Sequence, residues 1–166
     1  GIALIQRYAR SFTNDACFDS QIPKTDRLEN LMDADLYILA VSDDAISPLS
    51  ARLKATHGLV VHTSGSIPMS ALHCKASLGV LYPVQTFSKQ KNVNFSEVPL
   101  CLETERAADM VLLKKFALSL SSEVYELNSE KREKLHLAAV FANNFSNYMY
   151  KIADDICCKY QIPFET

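Results

Sequence analysis

The chain has 166 residues, of which 48% are hydrophobic and 22% charged, the composition of a protein that builds a packed core rather than a disordered or fibrous one. Seventeen basic against nineteen acidic side chains leave a formal charge of −2, so no global field attracts nucleic acid or an anionic membrane, and any bound anion has to be held locally. No apolar run approaches the roughly eighteen residues needed to cross a bilayer, and the opening segment, with Gln6, Arg7 and Arg10, lacks the order of a signal peptide, which points to a cytoplasmic protein.

Residues 2–8 (IALIQRY) form an apolar, β-branched opening with no lead-in and read as a buried strand. A polar stretch follows, and a short helix is expected over residues 26–32. Residues 35–41 (DLYILAV) make a near-continuous apolar run, the signature of a parallel strand covered on both faces. Ser42, Asp43 and Asp44 break it, and a helix is expected over residues 45–54 with Pro48 in its first turn.

Residues 59–63 (LVVHT) predict a further strand ending in Ser64, Gly65 and Ser66; residues 68–73 predict a short helix, and residues 79–82 a brief strand before Pro83. Two more short strands, over 98–102 and 124–127, flank an amphipathic helix over about 107–120. This alternation of strand, polar turn and helix argues for βαβ crossovers and a doubly wound, mostly parallel α/β sheet.

The pattern changes at Asn128. From Ser129 a polar helix start (Ser129, Glu130, Lys131, Arg132, Glu133) leads into a run without Gly or Pro to about Tyr160, longer than a typical globular helix, which predicts the start of a second, all-helical domain over residues 129–166 after an α/β domain over residues 1–128. Ile162, Pro163 and Phe164 read as a connection leading out of that helix.

Ligands of an open parallel sheet bind beyond the carboxyl ends of its strands, so the polar tips are the candidate sites. Arg10 and Ser11 follow the first strand, where a dinucleotide's ribose is read. A guanidinium with a hydroxyl suits the 2′-phosphate of NADP, whereas an acidic residue suits NAD, and the first carboxylate, Asp15, lies too far along. A solvated surface arginine is the bland alternative. Val41, Ser42 and Asp44 end the next strand and open a helix whose free amides can hold a ribose or pyrophosphate, although Asp43 or Asp44 can equally be a simple cap.

His62, Thr63 and Ser64, with Gly65 and Ser66, form a small hydroxyl-rich turn that permits close approach of a ring or carboxylate; His62 by itself fits a hydrogen-bonded core histidine better than a proton donor. The turn Tyr82-Pro83-Val84-Gln85-Thr86-Phe87 offers Gln85 and Thr86. On the long helix His136, Val140, Asn143, Asn147 and Lys151 share one face, a polar stripe that suggests a substrate-facing surface if it turns inward, with Asn144 about 100° away. The five cysteines, Cys17, Cys74, Cys101, Cys157 and Cys158, contain no CxxC pair and no zinc spacing, and read as reduced, mostly buried thiols; no metal site is expected.

Taken in order, Tyr8-Ala9-Arg10-Ser11, the segment from Ala34 to Ile46, His62-Thr63-Ser64-Gly65-Ser66, Tyr82-Pro83-Val84-Gln85-Thr86-Phe87 and the segment from His136 to Phe145 resemble a bacterial family described as Rossmann-like "putative NADP oxidoreductases" with a C-terminal domain of unknown function, similar in turn to pyrroline-5-carboxylate reductase and 6-phosphogluconate dehydrogenase-like proteins. The resemblance implies an N-terminal NADP-binding domain, a C-terminal helical domain that pairs subunits into a homodimer, and a cleft between them for a small-molecule substrate. It implies that Arg10 and Ser11 meet the 2′-phosphate, that Val41, Ser42 and Asp44 line the cofactor, that His62, Thr63 and Ser64 sit near the nicotinamide, and that His136 and Asn143 face the substrate.

The expected reaction is hydride transfer between NADP and a C=N or C=O carbon, with His136 the first and His62 the second choice of proton donor. One feature departs from the family pattern: the four glycines, Gly1, Gly58, Gly65 and Gly79, form no GxGxxG turn, which the resemblance places before residues 2–8, so the α/β domain is read as lacking its first strand and glycine-rich turn. That departure keeps a rival expectation open: a non-catalytic remnant or a dimerising binding module.

Overall fold

The computed structural model describes residues 2–12, 21–87 and 93–164; Asp15 and Cys17 lie outside the described residues. Among the described residues seven strands form two sheets. β1 (Arg7–Tyr8) pairs in parallel with β2 (Lys24–Thr25) in a small sheet, and β3 (Leu36–Leu39), β4 (Leu59–His62), β5 (Ser77–Pro83), β6 (Leu100–Thr104) and β7 (Val124–Glu126) form a second in sequence order. β3, β4 and β5 run parallel in the register Leu39, His62, Val80; β6 is antiparallel to β5, and β7 parallel to β6. The fold is therefore α/β with a mixed, mostly parallel sheet, followed by a helical region.

The core follows from the period of two along the strands. Leu59 and Val61 of β4 turn to one face and pack with Leu81, Leu100 and Leu102 beneath Leu113 and Ala117 of α2 (Ala107–Leu118). Val60, between them, turns to the other face and meets Ile46 of α1 (Asp43–Arg52) with Leu39 and Leu72. All four residues of β4 are buried, as a central strand with helices on both faces requires.

Several local expectations change. Of residues 2–8 only Arg7 and Tyr8 are paired, and Ile2, Leu4 and Ile5 are exposed, because an apolar run makes a strand only where a neighbour completes its ladder. The expected helices over 26–32 and 68–73 are single 3₁₀ turns, Leu28–Asn30 and Met69–Ala71. Pro48 is the sixth residue of α1, in its second turn rather than its first, and it stays exposed. Among the described cysteines only Cys101 is buried; Cys74 and Cys157 are partly covered and Cys158 is exposed.

From Ser129 the chain is one helical rod: α3 (Ser129–Ala139), a π-helical turn (Val140–Phe145) and α4 (Ser146–Lys159), joined through residues of right-handed helical conformation. Asn128 caps it, accepting from the Lys131 amide at 3.0 Å. The rod ends at Gln161 in the left-handed conformation (φ 57°), where the Ile162 amide folds back to the Cys157 carbonyl at 2.9 Å. No helix among the described residues is long and apolar enough to cross a membrane.

Candidate functional site

The carboxyl ends of β3, β4 and β5 lie side by side because the three strands are parallel and in register, so the tips they feed open at one edge of the sheet. Ser42 leaves β3 as the residue before α1; its hydroxyl makes no capping bond and, like Val41 and Asp44, it is exposed. Neither aspartate caps the helix. Asp43 instead accepts from the Ser66 hydroxyl at 2.7 Å, joining the tip of β3 to the turn after β4.

That turn is built by its own side chains. Ser64 Oγ accepts from the amides of Ser66 and Ile67, at 3.2 and 3.1 Å, and the Ser64 amide donates to His62 Nδ1 at 3.2 Å. His62 is fully buried; burial first, and the Arg132 guanidinium second, push it down to about 4 from the ordinary 6.5, against a weaker pull from the Pro68 carbonyl. Thr63 is partly exposed at the same tip.

Arg132 belongs to the polar helix start read from the sequence, yet it is buried. It is 1% exposed: its guanidinium pairs with Glu103 of β6 and donates to the Ile67 carbonyl at 2.6 Å and to Ser129 Oγ at 3.3 Å, while Nε has no partner among the described residues. Glu103 also accepts from the Ser129 amide and hydroxyl, at 2.9 and 2.8 Å, and Ser129 Oγ accepts from the Met69 amide at 3.1 Å. Through these bonds the first turn of α3 is tied at once to β6 and to the segment after β4.

One turn further along α3, His136 Nδ1 lies 2.9 Å from the Tyr82 hydroxyl, the two rings edge to face at 5.7 Å. Gly65 fills the space between them and the turn. A Cβ at that position would fall 2.6 Å from both Tyr82 Cζ and His136 Nδ1, so only glycine lets the turn lie against the pair. Tyr82 and His136, with Gln85, Thr86, Asn143 and Asn144, border a cleft of about 290 Å³ between the turn after β5 and the helical rod.

The polar stripe on the rod divides. His136, Val140 and Asn143 border the cleft, whereas Asn147 and Lys151 are exposed beyond it. Asn143 Nδ2 donates to Thr86 Oγ1 at 3.2 Å and its Oδ1 accepts from Asn147 at 3.2 Å. The π turn widens the helical step, and Asn144 comes to the cleft beside Asn143 instead of standing apart from it. Arg10 and Ser11 are exposed at the end of β1, on the small sheet, which no strand pairing joins to the larger one among the described residues. No cluster of His, Cys, Asp and Glu among the described residues has the make-up of a metal site.

Tyr82, Glu103 and Arg132 carry no mark in the sequence that separates them from a loop aromatic and two surface charges. Their only signal is positional: Tyr82 sits at the end of a buried strand, and Glu103 and Arg132 are opposite charges on elements that the topology brings together.

Residues 98–166 match the family model described as a domain of unknown function, DUF2520. Among solved structures, a "putative NADP oxidoreductase" from Bacteroides fragilis is 37% identical, with a TM-score of 0.79 over 96% of this chain and 64% of its own. A protein from Thermotoga maritima (21% identity, TM-score 0.67, 81% of this chain and 54% of its own) and a "putative oxidoreductase" from Mycobacterium avium (13%, 0.58, 86% and 55%) share the fold. This chain thus spans less than two thirds of each. No curated protein matches it. The resemblance read from the strand-end motifs is supported on two grounds: over 96% of its length the chain is similar to a solved structure described as a "putative NADP oxidoreductase", and residues 98–166 match the DUF2520 family model.

Proposed function

We propose that the protein is an NADP-dependent oxidoreductase of a small metabolite with a C=N or C=O group, acting in the cytoplasm. The observation that carries this reading is the convergence of three parallel strand ends on one edge, beside a cleft bordered by Tyr82, His136 and Asn143. The residues present suit a dinucleotide. The α1 amino terminus is preceded by the uncommitted hydroxyl of Ser42, and Thr63 is accessible at the neighbouring tip.

In this reading Arg10 and Ser11 hold the 2′-phosphate, and Val41, Ser42, Asp44, Thr63 and the Ser64 turn line the cofactor. When bound, the nicotinamide supplies or accepts the hydride. His136 faces the substrate atom that gains charge, and Asn143 holds the π turn against Thr86 at the cleft mouth. His62, fully buried with Nδ1 committed to the Ser64 amide, is given no proton-transfer role; it shapes the turn. Titration with NADPH, followed by nicotinamide fluorescence or calorimetry, tests the proposal. Saturable binding is expected, and no binding at millimolar NADPH overturns it.

A second reading, dimerisation through the helical rod, is favoured by the exposed side chains of Phe141, Phe145, Tyr148, Ile152 and Ile156. It is compatible with the first. A dimer by light scattering supports it, and a monomer at high concentration excludes it.

A further inference from the structure

We propose that Tyr82 is a positioning residue that donates its hydroxyl proton to Nδ1 of His136, so that the imidazole presents an Nε2–H donor to the cleft. The proposal rests on the oxidoreductase reading for its purpose, but the hydrogen bond it describes exists without ligand.

The geometry supplies the argument. Tyr82 is 7% exposed, and its hydroxyl meets one polar side chain among the described residues, His136 Nδ1 at 2.9 Å. A largely buried phenol gains from a protein partner for its proton. Were Nδ1 the protonated nitrogen, it would donate to the phenolic oxygen and the phenolic proton would have no protein acceptor among the described residues. With Nδ1 as acceptor the phenolic proton is satisfied, and a ring that carries one proton holds it on Nε2. Burial pushes the Tyr82 phenol above its ordinary value, with Cys101 adding to the effect and Arg132 opposing it, which keeps the hydroxyl a donor.

Three elements hold the pair in this arrangement. Tyr82 is fixed by β5, His136 by α3, and the Gly65 backbone is wedged against both rings. The Arg132–Glu103 ion pair, one helical turn before His136, anchors the helix that carries the imidazole. His136 itself is only partly buried and borders the cleft, so its second nitrogen is accessible from there. A fixed Nε2–H suits a substrate that brings a hydrogen-bond acceptor to that point: a carbonyl oxygen or an imine nitrogen, whose charge grows as hydride arrives at the adjacent carbon.

The test is ¹⁵N-resolved imidazole NMR of the ligand-free protein, with the His136 signals assigned through His136→Gln. The expected spectrum has Nδ1 unprotonated and hydrogen-bonded, correlated with a slowly exchanging downfield hydroxyl proton, and Nε2 protonated. In Tyr82→Phe that hydroxyl proton disappears and the Nδ1 resonance moves toward the position of a free, unprotonated nitrogen. An Nδ1–H tautomer in the wild type overturns the proposal, as does an Nδ1 resonance indifferent to Tyr82→Phe. If Tyr82→Phe does not fold, 3-fluorotyrosine incorporation replaces it: the more acidic phenol is expected to move Nδ1 further in the bonded direction, and no movement overturns the proposal. An NADPH titration on the same wild-type sample reads the oxidoreductase proposal separately, since neither result determines the other.

Discussion

The hydroxyl of Ser66 donates to Asp43 Oδ2 across 2.7 Å and so joins the turn after β4 to the first turn of α1. The two residues come from successive strand tips, and their bond sets the spacing of the groups proposed to line the cofactor. A hydrogen bond to an exposed carboxylate contributes at most about 1 kcal/mol. Ser66→Ala is expected to lower unfolding free energy by up to that amount in urea titration. In a double-mutant cycle with Asp43→Asn the two effects are expected to couple rather than add, and simple additivity would show that the bond contributes nothing.

His62 makes stability depend on pH. Its folded value is lowered to about 4 from 6.5, so between those values the unfolded chain binds a proton that the folded protein excludes. Stability is fully retained above about pH 6.5 and falls as pH drops through the window down to about 4, by a total of order 3 kcal/mol at about 1.4 kcal/mol per unit. Urea midpoints at pH 7, 5.5 and 4.5 read this slope. His62→Asn is expected to lower stability at pH 7 but to flatten the profile within the window, and an unchanged slope would place the titrating group elsewhere.

Arg132 and Glu103 illustrate what a sequence conceals. Arg132 stands in a polar helix start, Ser129 to Glu133, yet its charge is buried across 65 positions of chain against the Ile67 carbonyl. Charge pattern reports local solvation, while burial is decided by the sheet on which the helix lands. Removing Arg132 would leave Glu103, 14% exposed, with only Ser129 as partner. Loss of one member of a buried pair costs about 3–5 kcal/mol. Arg132→Ala is expected to fall in that range by chemical denaturation and to loosen α3, and Glu103→Gln to cost at least as much, because it leaves the buried guanidinium without its counter-charge. An effect below about 1 kcal/mol for Arg132→Ala would show the pair to be open to water.

The tips of β4 and β5 were legible for a physical reason: the central residues of both strands are buried, so their apolar runs end sharply at Thr63 and Pro83, whereas β3, expected to be covered on both faces, is an edge strand of the larger sheet that leaves Ile38 exposed. Strand direction was not legible, since the residues of β6 read alike whichever way the strand runs beside β5. The π turn was hidden too, because one extra residue per turn leaves the spacing of His136, Val140 and Asn143 compatible with an ordinary helix. The opening run at Ile2, Leu4 and Ile5 was overread, its composition suiting a strand where the pairing extends only over Arg7 and Tyr8.

Arg10 carries the proposed choice between the two nicotinamide cofactors. A guanidinium reading the 2′-phosphate makes charge-assisted bonds of about 1.5–3 kcal/mol, and NADH offers that position only a hydroxyl. Arg10→Ala is therefore expected to weaken NADPH roughly ten- to a hundredfold while leaving NADH nearly unchanged. Calorimetric titration of both cofactors into both proteins measures the difference directly. The exposed position of Arg10 after β1 makes a folding defect an implausible source of any loss, and far-ultraviolet circular dichroism checks that point. An equal loss for NADPH and NADH would remove the 2′-phosphate assignment. No loss for either would move the phosphate contact to other residues.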